Sequence, residues 1–186
     1  FSDLTDVSFF QAKRIAQEFG LKPVYGFRSG AGAVTTHLTG ATVVLQGSSP
    51  ARPRIGASLD GVSLSGVRDY FKEVQVGAEL ERAKIDFVYQ PATETTPFDG
   101  LRTYVQGGLS RKAAVAALTV NPAKALGLES ELGTLDVGKR ANLVMVQGDI
   151  LDSSSQVMAT YIDGQAVDFE MPKKKEAKDL KADERL

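Results

Sequence analysis

Residues 108–169 read GLSRKAAVAALTVNPAKALGLESELGTLDVGKRANLVMVQGDILDSSSQVMATYIDGQAVDF, and this stretch decides the fold. It opens as helix and closes as short strands. The hydroxyl of Ser110 suits an N-cap, because it can accept an otherwise unpaired amide of the first turn. Ala113, Ala114, Ala117 and Leu118 then recur at helical spacing. Asn121-Pro122 breaks this helix, and proline suits the first turn of the next one. Gly127 fits the left-handed stop behind Ala123 to Leu126. Beyond Gly133 the pattern changes. Leu143-Val144-Met145-Val146 has the composition of a strand, and Tyr161 to Val167 reads as a hairpin turning on Asp163-Gly164.

This order of parts resembles the C-terminal end of the amidohydrolase superfamily, especially its imidazolonepropionase-like and related branches. The matching marks are Gly108-Leu109-Ser110, then Thr119-Val120-Asn121-Pro122-Ala123-Lys124 and Leu126-Gly127-Leu128. The run Gly133-Thr134-Leu135-Asp136-Val137-Gly138-Lys139-Arg140-Ala141-Asn142-Leu143-Val144 follows, and Ile162-Asp163-Gly164-Gln165 closes the series. Singly these marks are weak; in this order they are specific. Asn142 departs from the pattern, which commonly has aspartate there. The resemblance implies an α/β fold: the C-terminal portion of a TIM-like (β/α) barrel followed by a small β-sandwich element. It implies a partial barrel over residues 1–130, the sandwich element over 131–170 and a charged tail or linker over 171–186.

Composition allows a packed core, with 186 residues of which 42% are hydrophobic. The formal net charge of −1 gives no electrostatic reason to expect nucleic acid or an anionic membrane. The chain has no cysteine, which excludes disulfides and thiolate metal sites without assigning a compartment. No apolar run approaches the ~20 residues that span a bilayer. The chain starts at Phe1 inside what reads as the approach to a helix, and is expected to be a piece of a longer polypeptide or a processed product.

Upstream, the chain alternates helices with short buried strands. Asp6 or Ser8 is expected to cap a helix to about Phe19, with Phe9, Phe10, Ile15, Ala16 and Phe19 as its apolar stripe. Strands are expected near 23–27, 41–45 and 85–89. A small helix over 30–38 falls between the first two, a longer one over 66–84 precedes the third, and another covers 98–107. Gln46 to Ser65 and Gln90 to Thr96 read as loops. This is the rhythm of parallel α/β units, and upstream it fits the later strands of an amidohydrolase barrel. Three strands cannot close a barrel of eight, a fold that typically takes about 250 residues. A companion polypeptide is therefore expected to supply the rest, plausibly the N-terminal half of the same protein.

The resemblance also implies where chemistry belongs. Active members hold one or two divalent metals at the C-terminal ends of the strands, through histidines and a last-strand aspartate. The ion acidifies a bound water, and the aspartate takes a proton during attack. In this chain Gln90 falls near the aspartate's place, while Asp86 lies at the wrong end of the strand. Glu94, in the exit loop, could reach inward. His37 is the only histidine and sits in a helix, so it reads as a packing or helix-end residue. Arg28-Ser29-Gly30-Ala31-Gly32 is a glycine-rich turn that could seat an anion, though it matches no complete nucleotide-binding fingerprint. The cleft candidates are Arg28, Gln90 and Glu94; no catalytic residue, metal ligand or cofactor is assigned within this chain. The expected role is structural or in assembly. One alternative is half of an active hydrolase of cyclic amides or related C–N bonds, using a metal such as zinc; another is a metal-free module that binds small molecules.

Overall fold

The structure is a computed structural model, described here for residues 1–2, 4–47, 63–91 and 98–167. Its elements follow the expected alternation. Helix α1 (Asp6–Glu18) leads to strand β1 (Val24–Phe27), a 3-10 helix (Ala31–His37) and β2 (Thr42–Gly47). Then come α2 (Leu64–Arg82), β3 (Phe87–Pro91), α3 (Asp99–Gln106), α4 (Arg111–Leu118) and α5 (Val120–Ala125). The chain closes with β4 (Leu143–Gln147), β5 (Gln156–Ile162) and β6 (Gln165–Val167). No described helix is long and apolar enough to cross a membrane.

Two separate three-stranded sheets result. In the first, β1, β2 and β3 lie side by side and parallel, each reached through helical structure. Alternation along these strands turns Tyr25, Phe27, Val43, Leu45, Phe87 and Tyr89 onto one face, where all are buried. Phe9, Val34, Val76, Leu80 and Leu101 complete the core over that face. The second sheet is an antiparallel meander, β4-β5-β6. Its final turn puts both Asp163 and Gly164 at positive φ, 49° and 79°, as a two-residue hairpin connection requires.

The outer margin of β1 is occupied by the chain's own first residues. Leu4 forms a parallel bridge with Phe27; Leu4 donates to the Gly26 carbonyl at 2.9 Å, and Gly26 donates to the Phe1 carbonyl at 2.8 Å. At the opposite margin, the Asn121 side chain donates to the Phe87 carbonyl at 2.8 Å. The proline-containing helix α5 is thereby tied to the start of β3.

Several expectations are corrected. Thr5, not Asp6 or Ser8, caps α1: its hydroxyl accepts the Ser8 amide while the Ser8 hydroxyl accepts the Thr5 amide. The buried stripe of α1 is Phe9, Ala12 and Ala16, whereas Phe10, Ile15 and Phe19 are exposed, because the helix touches its neighbours along a narrow line. The small second helix is 3-10 throughout. Strand β3 starts two residues late and runs through Pro91, so Gln90 belongs to the sheet, not to a loop. Strand β5 extends back to Gln156, where polar residues hid it. Glu94 and the charged tail over 171–186 lie outside the described residues.

The departure at Asn142 has a local reason. Its side-chain oxygen accepts the Asp163 amide at 2.8 Å, and Arg140 grips both carboxylate oxygens of Asp163 at 2.9 Å. An aspartate at 142 would set a second negative charge beside Asp163.

Candidate functional site

The parallel strands end together, and their register brings the polar residues there into one row. Gln46 is the cross-strand partner of Gln90. The β1 register ends with Phe27 beside Leu45, and Arg28 follows directly in the turn that leaves this end of the sheet. This row lies on the face opposite the helix-packed core, because it alternates with Phe27, Leu45 and Tyr89. The layer below it is Gly26, Val44 and Val88. With no side chain at Gly26, the Gln46 carboxamide can lie across it: a Cβ placed there would be 3.8 Å from Gln46 Nε2.

Two of the three cleft candidates thus come together, Arg28 and Gln90. Gln46 was missed. The signal was present, since Val43-Val44-Leu45-Gln46 and Phe87-Val88-Tyr89-Gln90 share the pattern of an apolar strand ending in glutamine. Asp86 lies at the other end of β3, in an ion pair with Lys124 at 2.8 Å that holds the Lys124 ammonium pKa above its ordinary value. His37 sits at the end of the 3-10 helix. Its ring meets Phe10 edge to face at 5.1 Å, and its carbonyl accepts the Lys13 ammonium at 3.0 Å.

Behind the row, α2 and α3 supply a small polar group. Glu73 on α2 accepts the Gly30 amide at 2.9 Å. Partial burial raises the Glu73 carboxyl pKa, opposed by the Gly30 hydrogen bond and aided by the charges of Asp69 and Glu79. Tyr104 is buried and its hydroxyl titrates far above the ordinary value, first through burial and then through Glu73 and Tyr89. Tyr89 meets Tyr104 edge to face at 6.4 Å. Its hydroxyl packs over Gly47 and Gly100 and faces the first amides of α3 without reaching hydrogen-bond geometry. Burial raises its pKa as well.

Two concavities lie away from the row. One, of about 300 Å³, opens at the N-terminal ends of β2 and β3 between Thr42, Lys84, Asp86, Asn121 and Lys124. The other, of about 400 Å³, sits between α3 and the β4–β5 turn, beside Arg102 and Arg111.

The amidohydrolase family model matches residues 69–167, from α2 to the end of β6. The chain belongs to the amidohydrolase family. Among its amidohydrolase relatives, N-acetylglucosamine-6-phosphate deacetylase of Homo sapiens is 43% identical over 68 residues, 36% of this chain and 15% of that enzyme. N-substituted formamide deformylase of Arthrobacter pascens is 42% identical over 99 residues, 50% of this chain and 14% of that enzyme. An amidohydrolase from Thermotoga maritima MSB8 superposes with a TM-score of 0.71 at 27% identity, covering 91% of this chain and 43% of that one. The chain thus spans less than half the length of the relatives it matches. In amidohydrolase terms the row stands where metal ligands are expected, yet its described members are two carboxamides and a guanidinium. Neutral amides are weak ligands and no bases, and a guanidinium repels a cation. This donor set does not fit a divalent ion, and we assign it no ion-centred step.

Proposed function

We propose that this chain is the C-terminal barrel-and-sandwich portion of an amidohydrolase-like protein, of the imidazolonepropionase-like kind, with a structural or assembly role. In this reading residues 1–130 belong to the barrel, 131–170 to the sandwich and 171–186 to a charged tail. A companion polypeptide adds the remaining strands, and the Arg28–Gln46–Gln90 row becomes one wall of a cleft. The observation that carries the reading is the pairing of Gln46 with Gln90 at the strand ends. It supports a cleft wall that supplies neither a base nor a negatively charged ligand for a metal.

One observation favours a second reading. The identity to a deacetylase and a deformylase over 68 and 99 residues suits half of a working hydrolase whose metal ligands come from the companion. Metal analysis of the full-length protein decides between them. The first reading expects less than one tightly held divalent ion for every ten molecules and no hydrolysis of formamide or cyclic-amide substrates. One ion per molecule with turnover would overturn it in favour of the second. A bound small molecule without metal or turnover would also overturn it, in favour of a binding module.

A further inference from the structure

The glycine-rich turn after β1 has the make-up of an anion seat, and the carboxyl group of Glu73 is already in it. Gly30 stands at φ 79°, a left-handed conformation that opens the turn and points its amide toward α2. That amide donates to Glu73 Oε1 at 2.9 Å across a sequence separation of 43 residues. One turn of the 3-10 helix further, a Cβ placed on Gly32 would lie 2.8 Å from Glu79 Oε2 and 3.2 Å from Val76. The turn is therefore drawn against α2 closely enough that a side chain at position 32 would displace the Glu79 carboxylate and press on Val76. Arg28, at the end of the strand-end row, is two residues before Gly30.

We propose that Glu73 is a positioning residue: its carboxylate fills the turn as an internal anion and fixes the Arg28 end of the row. The hold on the turn does not depend on what the row binds. The groups acting on Glu73 are Asp69 and Glu79 on its own helix; Tyr104, facing it from α3, is itself raised by Glu73, and Arg28 belongs to the turn that Glu73 holds. Keeping a carboxylate half-buried beside two others is costly for folding, since burial and like charge both disfavour its ionised form. A glutamine could make the same hydrogen bond without that cost, so the arrangement retains charge, not merely an acceptor.

The test uses the full 186-residue chain and follows the backbone amide of Gly30 by nuclear magnetic resonance between about pH 3 and about pH 8. In the wild type the Gly30 amide shift is expected to titrate with a midpoint above the ordinary glutamate value. Glu73→Gln should abolish the titration while leaving exchange protection at Gly30 within about threefold. Glu73→Ala should lower that protection at least tenfold, and Glu79→Gln should leave the titration in place. A Gly30 amide that does not respond to pH in the wild type overturns the proposal. So does a titration that persists in Glu73→Gln, or protection unchanged in a folded Glu73→Ala chain. Should Glu73→Ala fail to fold, the comparison of wild type with Glu73→Gln still decides.

Discussion

Gly107 ends α3 where that helix crosses α2, and a Cβ placed there would fall on the Val74 carbonyl. The obstacle is backbone, so no rotamer can relieve it. Gly107→Ala is expected to cost about 2–3 kcal/mol, read from the urea midpoint at neutral pH; an unchanged midpoint would mean that the two helices can part freely. Tyr89 presents the opposite situation. Its ring is buried while its hydroxyl lacks a partner. Tyr89→Phe should therefore hold or raise stability, by up to about 1 kcal/mol. A clear loss would show that the hydroxyl is bonded by the α3 amides it faces. Gly77 marks where single residues stop being legible in sequence. Its intrinsic cost in a helix is about 1 kcal/mol relative to alanine, which counts against α2. In the fold a Cβ there would lie 3.2 Å from both Leu109 and Tyr104. The need for glycine comes from residues about thirty positions away, and no local pattern carries it.

Among the elements, the β4–β5 turn is fastened to the helices by two arginines. Arg102 donates to the carbonyls of Leu151 and Asp152 at 3.1 Å and to Asp99 at 2.7 Å. Arg111 pairs with Asp149 at 2.8 Å and with Asp152 at 2.6 Å. Arg102 is the less exposed of the two and satisfies main-chain groups that Leu151 carries into the core. Arg102→Ala should cost about 2–3 kcal/mol, and Arg111→Ala less, because its ion pairs are in water. Equal losses in chemical denaturation would contradict this ranking. A second tie lies at the start of α4. Ser110 caps the helix by accepting the Ala113 amide at 3.1 Å, and both its amide and its hydroxyl donate to Glu81 on α2. The Ser110 hydroxyl, then its amide, hold the Glu81 carboxyl below the ordinary glutamate value. A depressed carboxylate stabilises the fold above its unfolded value, and that contribution fades as pH falls through the lower folded value. The denaturation midpoints of wild type and Glu81→Gln should thus differ near neutrality and converge toward about pH 3. The Ser110 cap itself was legible, as were the order of the helices, the three parallel strands and the Asp163-Gly164 turn, because each follows from short-range spacing. The start of β5 was not legible. Gln156 and Thr160 break the apolar signal of a strand whose sheet packs weakly on both faces.

For the whole molecule, the second sheet is the informative part. Met158, Thr160 and Ile162 alternate along β5, with Val144 and Val167 paired to Thr160. Val144, Met158 and Ile162 are each more than half exposed. An apolar sheet face left in water invites association, and so does an open parallel margin. The isolated chain is expected to scatter light as a concentration-dependent associating species, and co-expression with a polypeptide carrying the missing strands should bring it to a defined size. A stable monomer in dilute solution would refute the need for a companion. The strand-end row was half legible at this scale. Gln90 and Arg28 stood out by position in the chain, but their alignment with Gln46 depends on register, which the sequence of one strand does not contain.

The two margins of the parallel sheet are not equivalent, and this gives any addition a direction. Beside β1, bonds to the strand are made by Phe1 and Leu4. A newcomer there would have to displace bonds already made. At β3 the Phe87 carbonyl is already engaged by Asn121. An incoming strand must find its first outward-facing acceptor further along, at Tyr89, because alternate carbonyls turn toward β2. Asn121 would thus limit how near the start of β3 an added strand could pair.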